Sequence, residues 1–268
     1  MTSTSRSMTI RHLRVSIALV LVLFVVPTGY AQSDAVRHQL TSTGVLRVGI
    51  NYGNVVLAKR DTPDAMPTGV AIDVAREIAR RLGTTATFVG YPDAGSVVDE
   101  AGKAWDVAFV GIEPERASVV AFTAPYVVVE ATYMVQASST LHTLGDVDRS
   151  GVKIAAGPRS AYGLFLRRSL KHAELVPVTG EAALTALQAG TVTAVAGLRS
   201  SMTLTAAARP GLRVLSGNIT GINQGLAVPV ANQAARAYLD SVITQLKRSG
   251  FIADAVRRTG YSGASVPR

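Results

Sequence analysis

The loop formed by residues 111–116 carries the side chain best suited to bind an anion. Its sequence is Gly-Ile-Glu-Pro-Glu-Arg, and it follows an apolar run that predicts a buried strand. Gly111 lets the backbone approach a ligand, and Pro114 suits the first turn of a helix. Because a guanidinium group forms two parallel hydrogen bonds with a carboxylate, Arg116 is a candidate carboxylate-binding residue. The alternative is a surface arginine that pairs with Glu113 or Glu115.

A second candidate for anion binding is the start of the helix predicted at Ser160. Residues 156–162 combine the end of a strand, a glycine turn, a serine cap and a helix start. Such a start presents free backbone amides to an anion. The alternative is a helix cap that binds no ligand. A phosphate loop is excluded, because the segment lacks the spaced glycines and the Lys-Ser/Thr pair.

Residues for nucleophilic or metal chemistry are sparse. Cysteine is absent, which excludes a disulfide framework, a thiolate metal site, a cysteine nucleophile and a lipid-modified cysteine. His12, His38, His142 and His172 form no ligand pair, and none stands beside a Gly-x-Ser-x-Gly turn. Glu113 is the one candidate for an acid or base. We therefore expect no catalytic residue, no metal and no cofactor.

Composition indicates a globular protein with a large apolar core. The chain has 268 residues, of which 48% are apolar and 17% charged, so a disordered chain is excluded. The net charge is +9, but the basic residues are dispersed and no aromatic-basic stripe occurs. We therefore expect no nucleic-acid partner.

The N-terminus has the pattern of a secretory signal. Residues 1–16 carry three arginines and no acid, and residues 17–26 form an unbroken apolar run. This run is too short to span a bilayer, which needs about 20 residues. Gly29 and Ala31 are small residues at the −3 and −1 positions of a cleavage site. We expect removal of residues 1–31 and a periplasmic mature protein; the alternative is an uncleaved anchor.

From residue 45 onward, short apolar runs alternate with helical patterns. Val74, Ile78 and Leu82 recur at every fourth position, which predicts a helix ended by Gly83. The predicted strands are residues 45–50, 85–89, 106–111, 127–136, 152–156, 175–178, 192–196, 212–215 and 225–230. The predicted helices are residues 70–82, 96–104, 160–170, 181–188, 198–208 and 251–258, with a long helix between Asn232 and Gly250.

This alternation predicts an α/β fold with a parallel or mixed sheet covered on both faces. Two such units joined by long crossing strands predict two lobes with a cleft between them. Ligands of open α/β sheets bind beyond the carboxyl ends of the strands. The loops in that position are residues 51–54, 111–116 and 157–162.

Several segments resemble the extracytoplasmic solute-binding proteins of family 3, the receptors of ABC importers for polar amino acids and related small anions. They are LRVGI, GVAIDVAREIARRLG, WDVAFVGIEPERASVVAFTAPYV, GVKIAAGPRSAYGLFL and ALQAGTVTAVAG. The resemblance covers residues 44–260. It implies a periplasmic binding protein type II fold with a hinge of two crossing strands. Lobe 1 would comprise residues 44–134 plus 228–268, and lobe 2 residues 135–227.

The resemblance also implies a ligand site. Arg116 matches the arginine that clamps the ligand α-carboxylate, and Ser160 and Ala161 match the helix start that holds the same group. Residues 51–54 form the loop in which the family places an aromatic side chain over the ligand, here displaced to Tyr52 or missing. The candidate ligand-binding residues are Asn51, Tyr52, Asn54, Gly111, Ile112, Glu113, Arg116, Arg159, Ser160, Ala161, Tyr162 and Arg199.

The chain departs from the family after the segment AVAG. Amino-acid binders usually carry an aspartate there, which receives the ligand ammonium, whereas this chain has Leu198 and then Arg199. A buried ammonium needs a carboxylate partner, because an unpaired buried charge is costly. We hypothesise a ligand with a carboxylate and no ammonium, such as a dicarboxylate or an aromatic acid. It would be bound by Arg116 together with Arg159 or Arg199.

The function implied by the resemblance is transport. A monomeric receptor would close on a small carboxylate-bearing ligand, either amino acid-like or an organic acid, and deliver it to an ABC permease in the inner membrane. The alternative is a periplasmic dehydratase of prephenate-like acids on the same fold, with Glu113 as its acid. A sensory module that docks on a kinase is a third class.

Overall fold

The computed structural model describes residues 1–2, 29–62 and 64–268. Most of the predicted signal therefore lies outside the described residues. The first described element is a helix, α1 (Gly29–Leu40), which the sequence analysis did not predict. The cleavage position after Ala31 falls within α1, and cleavage there stays a prediction.

Helices and strands alternate through the rest of the chain, as the apolar pattern predicts. The strands are β1 (Leu46–Asn51), β2 (Ala86–Tyr91), β3 (Val107–Gly111), β4 (Val120–Phe122), β5 (Val127–Gln136), β6 (Lys153–Ala156), β7 (Glu174–Pro177), β8 (Ala194–Leu198), β9 (Leu212–Val214), β10 (Thr220–Pro229) and β11 (Ala264–Ser265). The remaining helices are α2 (Val70–Arg81), α3 (Ala94–Asp99), α4 (Ala161–Ser169), α5 (Gly180–Gln188), α6 (Arg199–Ala208), α7 (Gln233–Arg248) and α8 (Phe251–Thr259).

The strands form one mixed sheet in the order β2-β1-β3-β10-β5-β8-β6-β7. Parallel pairs lie toward both ends, where β1 pairs with β2 and β3, and β6 pairs with β7 and β8. The central strands β10 and β5 are antiparallel to their neighbours. The predicted α/β fold with a mixed sheet is confirmed.

Two ten-residue strands connect the two halves of this sheet. β10 pairs with β3 and β4 through residues 224–229 and with β5 through residues 220–224. β5 continues through residues 131–136 to pair with β8 and β9. These are the crossing strands predicted for the hinge. We call β1–β4 with α1–α3, α7 and α8 the first lobe, and β6–β9 with α4–α6 the second lobe. The residue boundaries given above for the lobes stay predictions.

The apolar pattern explains the packing of each lobe. Every residue of β3 is buried, and α2 buries Val74 and Ile78 on the face that covers the sheet. Phe109 of β3 meets Tyr126 edge to face, with ring centroids 5.6 Å apart. The second lobe has a core of its own, which includes Ile154 and Leu166. None of the helices in the described ranges is long and apolar enough to cross a membrane.

Two elements differ from the predictions in a way that bears on the cleft. α3 starts before residue 96, because the Asp93 carboxylate accepts the amide of Ser96 (2.8 Å) and caps the helix, and it ends at Asp99. β10 begins five residues before the predicted start. Its first half includes Gly221 and Asn223, which are weak strand formers, and backbone pairing with β5 holds it extended. β4 and β11 were also not predicted.

Candidate ligand-binding site

Arg116 lies just beyond the carboxyl end of β3. The turn Pro114–Arg116 brings its guanidinium back toward the strand, where Nη1 donates to the carbonyl of Gly111 (2.5 Å). Nη2 donates to the carbonyl of Arg159 in the second lobe (2.9 Å), so one side chain bridges both lobes. Arg116 is only 5% exposed, and burial lowers the pKa of its guanidinium.

The buried charge of Arg116 has no carboxylate partner among the residues that the structure describes. Within the described part of the chain, no ion pair joins its guanidinium to an acid. Glu113 and Glu115 both pair instead with Arg168 of the second lobe, at 2.8 and 2.5 Å. Because an unpaired buried cation is unfavourable, the position is suited to receive an anion from solution.

The start of α4 faces the same region. Ser160 is the N-cap; its Oγ accepts the amide of Gly163 (3.0 Å) and donates to the carbonyl of Gly157 (2.7 Å). The Ser160 hydroxyl is therefore already bonded within the turn. The amides of Ala161 and Tyr162 have no hydrogen-bond partner among the described residues. These two amides, rather than the serine hydroxyl, are available to an anion.

A cavity of about 550 Å³ lies between the lobes, and all three predicted loops line it. Of the predicted site residues, eight line this cavity: Asn51, Asn54, Gly111, Arg116, Arg159, Ser160, Ala161 and Tyr162. An added Cβ at Gly111 would lie 3.2 Å from Cβ of Ala161 and 3.0 Å from Cγ2 of Ile222. Glycine at position 111 therefore allows α4 to approach β3 closely.

Four of the predicted site residues lie outside the cavity lining. The ring of Tyr52 lies 4.9 Å from Cζ of Arg60 and packs over Gly90. Arg199 donates through Nε to Glu130 (2.7 Å). Glu113 pairs with Arg168, as described, and Ile112 packs against Gly225.

Arg159 lines the cavity, but its charge is already neutralised. Its Nη1 donates to Oδ2 of Asp99 (2.8 Å), and its Nη2 lies 3.6 Å from Oδ1 of Asp93. The guanidinium lies against the backbone of Gly95, where an added Cβ would be 1.9 Å from Nε. Together with the pairs of Arg168, these contacts join α4 to the first lobe; we call them the rim pairs.

Several lining residues were not foreseen. Asp93, Thr179, Ser201, Met202 and Gln224 all face the cavity. The spacing from Asp93 to Ser96 is a helix-cap signal that could have located the first of these. Gln224 lies in the half of β10 that the strand prediction missed, and it pairs in register with Gly111.

The side chains of Gln224 and Ser201 have no hydrogen-bond partner among the described residues. Gln224 is 4% exposed, and its side-chain amide bonds to none of the residues that the structure describes. Oγ of Ser201 is likewise buried and unpaired within the described ranges. Across those ranges, no group of three or more His, Asp or Glu side chains could hold a metal ion. The arrangement is suited to bind a small anion through Arg116, two amides and neutral polar groups.

The model of one protein family, the bacterial extracellular solute-binding proteins of family 3, matches residues 46–259. This chain belongs to that family. No curated protein sequence matches the chain significantly. Many solved structures share its fold, and the sequence identity and TM-score of three of them are given below.

A mutant of ArgBP from T. maritima is 24% identical, with a TM-score of 0.69 over 84% of this chain and 99% of that chain. The substrate-binding protein AbpA from Streptococcus pneumoniae, bound to L-arginine, is 23% identical, with a TM-score of 0.69 over 82% and 96%. The ancestral amino acid-binding protein AncCDT-1, a precursor of cyclohexadienyl dehydratase, is 21% identical, with a TM-score of 0.68 over 82% and 97%. These likenesses confirm the two-lobed type II fold.

Proposed function

We propose that this family member is the extracytoplasmic receptor of an ABC importer and closes on a small ligand that carries a carboxylate. The observation that carries the proposal is the buried guanidinium of Arg116, which lies in a cavity between two lobes and pairs with no acid of the described chain. A carboxylate would satisfy that charge through paired hydrogen bonds.

Closure on the ligand follows from the geometry of the contacts. The first lobe offers Arg116 and the second lobe offers the amides of Ala161 and Tyr162. A ligand can bind all of these groups only when the lobes are together, so it stabilises the closed state by differential affinity. The strands β5 and β10 form the connection about which the lobes would move.

The partners and the location belong to the same proposal. A receptor of this kind works outside the inner membrane, after removal of residues 1–31, and hands its ligand to a membrane permease. We propose a monomer, since each chain would hold a complete site between its own lobes.

Binding rather than catalysis is the function that the cleft supports. Glu113, the candidate acid of the alternative dehydratase, is held by Arg168 at 2.8 Å and does not line the cavity. Asp93, the one carboxylate on the described cavity wall, is occupied as the cap of α3. Incubation with prephenate, followed by absorbance of the product, should show no turnover above that of an Arg116→Ala variant.

The direct test of the proposal is recovery of the natural ligand. Native mass spectrometry of the protein as purified should show an adduct that denaturation releases as a small carboxylic acid. Small-angle scattering of the stripped protein should show a smaller radius of gyration when that acid is returned. The receptor function would be contradicted if the protein as purified releases no acid and if no carboxylic acid changes the radius of gyration of the stripped protein.

A further inference from the structure

The charges on the cavity wall do not match those of an amino acid. Of the residues described there, Asp93 is the single carboxylate. Its Oδ1 accepts the amide of Ser96 (2.8 Å) and its Oδ2 accepts the Ser96 hydroxyl (2.8 Å). Arg159 lies against the same carboxylate, 3.6 Å from Oδ1. An ammonium group inside the cavity would therefore find no uncommitted carboxylate.

The guanidinium groups near the cavity leave one cation available for a negatively charged group of a ligand. Arg159 is held by Asp99 at 2.8 Å, and Arg199 is held by Glu130 outside the lining. Arg116 is thus the lining cation that has no ion pair among the described residues. A second carboxylate would have to displace Asp99 from Arg159 or remain buried without a cation, and both are unfavourable.

The second-lobe wall is apolar, with neutral polar groups among its side chains. The apolar side chains there are Val178, Leu184, Val195, Leu198 and Met202, and the hydroxyl groups belong to Thr179, Ser201 and Thr205. Such a wall suits an uncharged, mainly apolar part of a ligand, because burial of apolar surface is favourable and burial of an unpaired charge is not.

One neutral group lies next to the site of Arg116. Gln224 is opposite Gly111 in the pairing of β10 with β3, and Gly111 is the residue whose carbonyl holds Arg116. Gln224 is 4% exposed and lines the cavity, and its side-chain amide has no partner among the described residues. An amide can donate to a hydroxyl or oxo oxygen, and a ligand with such an oxygen beside its carboxylate would satisfy it.

We propose that this cavity selects monocarboxylic acids that carry no ammonium, no second charge, an oxygen next to the carboxylate and a mainly apolar side chain. The inference rests on the proposed receptor function and makes its ligand specific. It narrows the ligand class hypothesised from the sequence, because Arg159 and Arg199 pair with acids of the protein and the described cavity lining has no further cation for the second carboxylate of a dicarboxylate.

The test is calorimetry with ligands that differ only near the carboxylate. One set is L-phenylalanine, 3-phenyllactate, phenylpyruvate and benzylsuccinate; the other is L-leucine, 2-hydroxy-4-methylpentanoate, 4-methyl-2-oxopentanoate and isobutylsuccinate. In at least one set, the Kd of the hydroxy or oxo acid should be lower than that of the amino acid and that of the dicarboxylate by a factor of about 100 or more. Equal or tighter binding of an amino acid or a dicarboxylate, or no binding by any member, would overturn the inference.

A charge placed on the second-lobe wall gives an independent readout. Ser201→Asp would add a carboxylate to the cavity, and Ser201→Asn adds a neutral side chain of the same size. The aspartate should shift preference toward the amino acid of a set by about tenfold or more, whereas the asparagine should not. Thr205→Asp is the second variant if Ser201→Asp does not fold. An unchanged preference in a folded aspartate variant would overturn the charge argument.

The outcomes separate this inference from the receptor function on which it rests. If an amino acid binds tightly and Arg116→Ala abolishes that binding, the ligand class is wrong and the receptor function stands. If no acid binds and the purified protein releases no carboxylic acid, both are wrong.

Discussion

The interior and the rim of the cleft use the same side-chain type in opposite ways. Inside, Arg116 is buried, and no carboxylate of the described chain pairs with it. At the rim, Arg159 and Arg168 are about half exposed and each meets two acids of the first lobe. Exposed pairs contribute little to stability, whereas a buried charge gains strongly from a partner. In the proposed receptor, the interior would therefore supply affinity for an anion, and the rim contacts would make a smaller contribution to closure.

Removal of the interior cation is the most direct test of this difference between interior and rim. Arg116→Ala should weaken binding of the released acid by about 2–5 kcal/mol, because a buried charge-assisted pair is lost. That loss corresponds to about 30-fold or more in Kd. Calorimetry on the stripped protein measures it.

The matched control for this prediction is Arg159→Ala at the rim. It removes an arginine whose side chain is 49% exposed and whose partners Asp93 and Asp99 are 50% and 60% exposed, so its effect should stay within about 1 kcal/mol. Similar losses in the two variants would erase the distinction between interior and rim.

A smaller effect is expected from Gly95→Ala. The added Cβ would lie 1.9 Å from Nε of Arg159, so the arginine must leave Asp99. Alanine has a higher helix propensity than glycine, so the substitution should not destabilise α3 itself. Ligand affinity should fall by about 1 kcal/mol or less, since an exposed pair is lost. Calorimetry measures this change, and thermal unfolding of the stripped protein monitors α3.

The control is a double-mutant cycle with Arg159→Ala. In that background Gly95→Ala should leave ligand affinity unchanged, because the side chain that it displaces is gone. An equal loss with and without Arg159 would mean that the glycine acts through something other than this contact.

The smallest expected effect is the pH dependence of closure. Burial alone would raise the pKa of Asp93, but hydrogen bonds from Ser96 and the charge of Arg159 outweigh it and lower the pKa below 3.8. The contribution of the Asp93 carboxylate to the stability of the closed state is therefore complete above pH 3.8. It is lost as the pH falls through the lower pKa that Asp93 has in the folded protein. Scattering of the stripped protein should show an unchanged radius of gyration between pH 5 and 8.

Asp93→Asn provides the comparison for that measurement. The asparagine cannot be protonated, so the acid-induced increase in radius of gyration should be smaller in this variant than in the parent protein. A parent protein that opens between pH 5 and 8 would show that another group controls closure.

The spacing of apolar residues predicted much of the fold, because the buried face of a helix or strand repeats with the period of that element. The helix at residues 70–82 and the strand at residues 127–136 came out within one residue of α2 and β5. The first half of β10 was missed, since its polar and glycine residues are held by pairing with β5 and not by their own preference. The short helix α3 was misplaced because its start depends on the Asp93 cap.

The cavity could be predicted only in part for a related reason. Arg116 and residues 157–162 follow strands directly, and strand order places such loops together. Tyr52 and Arg199 are also near strand ends, but Tyr52 packs against Arg60, and Arg199 pairs with Glu130, which is 69 residues away in the sequence. Met202 and Gln224 carry no local signal, because their position depends on how the second lobe packs against the first.

The direct pairing of β5 with β10 has a mechanical consequence. Residues 127–131 and 220–224 are bonded side by side, and β11 adds a short third strand at residues 128–129. Such a narrow antiparallel ribbon can twist and bend across its flat face, whereas its backbone hydrogen bonds resist shear within its plane. In the proposed receptor, opening would therefore be limited to twisting and bending of this ribbon, and a membrane-bound acceptor would meet a restricted set of shapes.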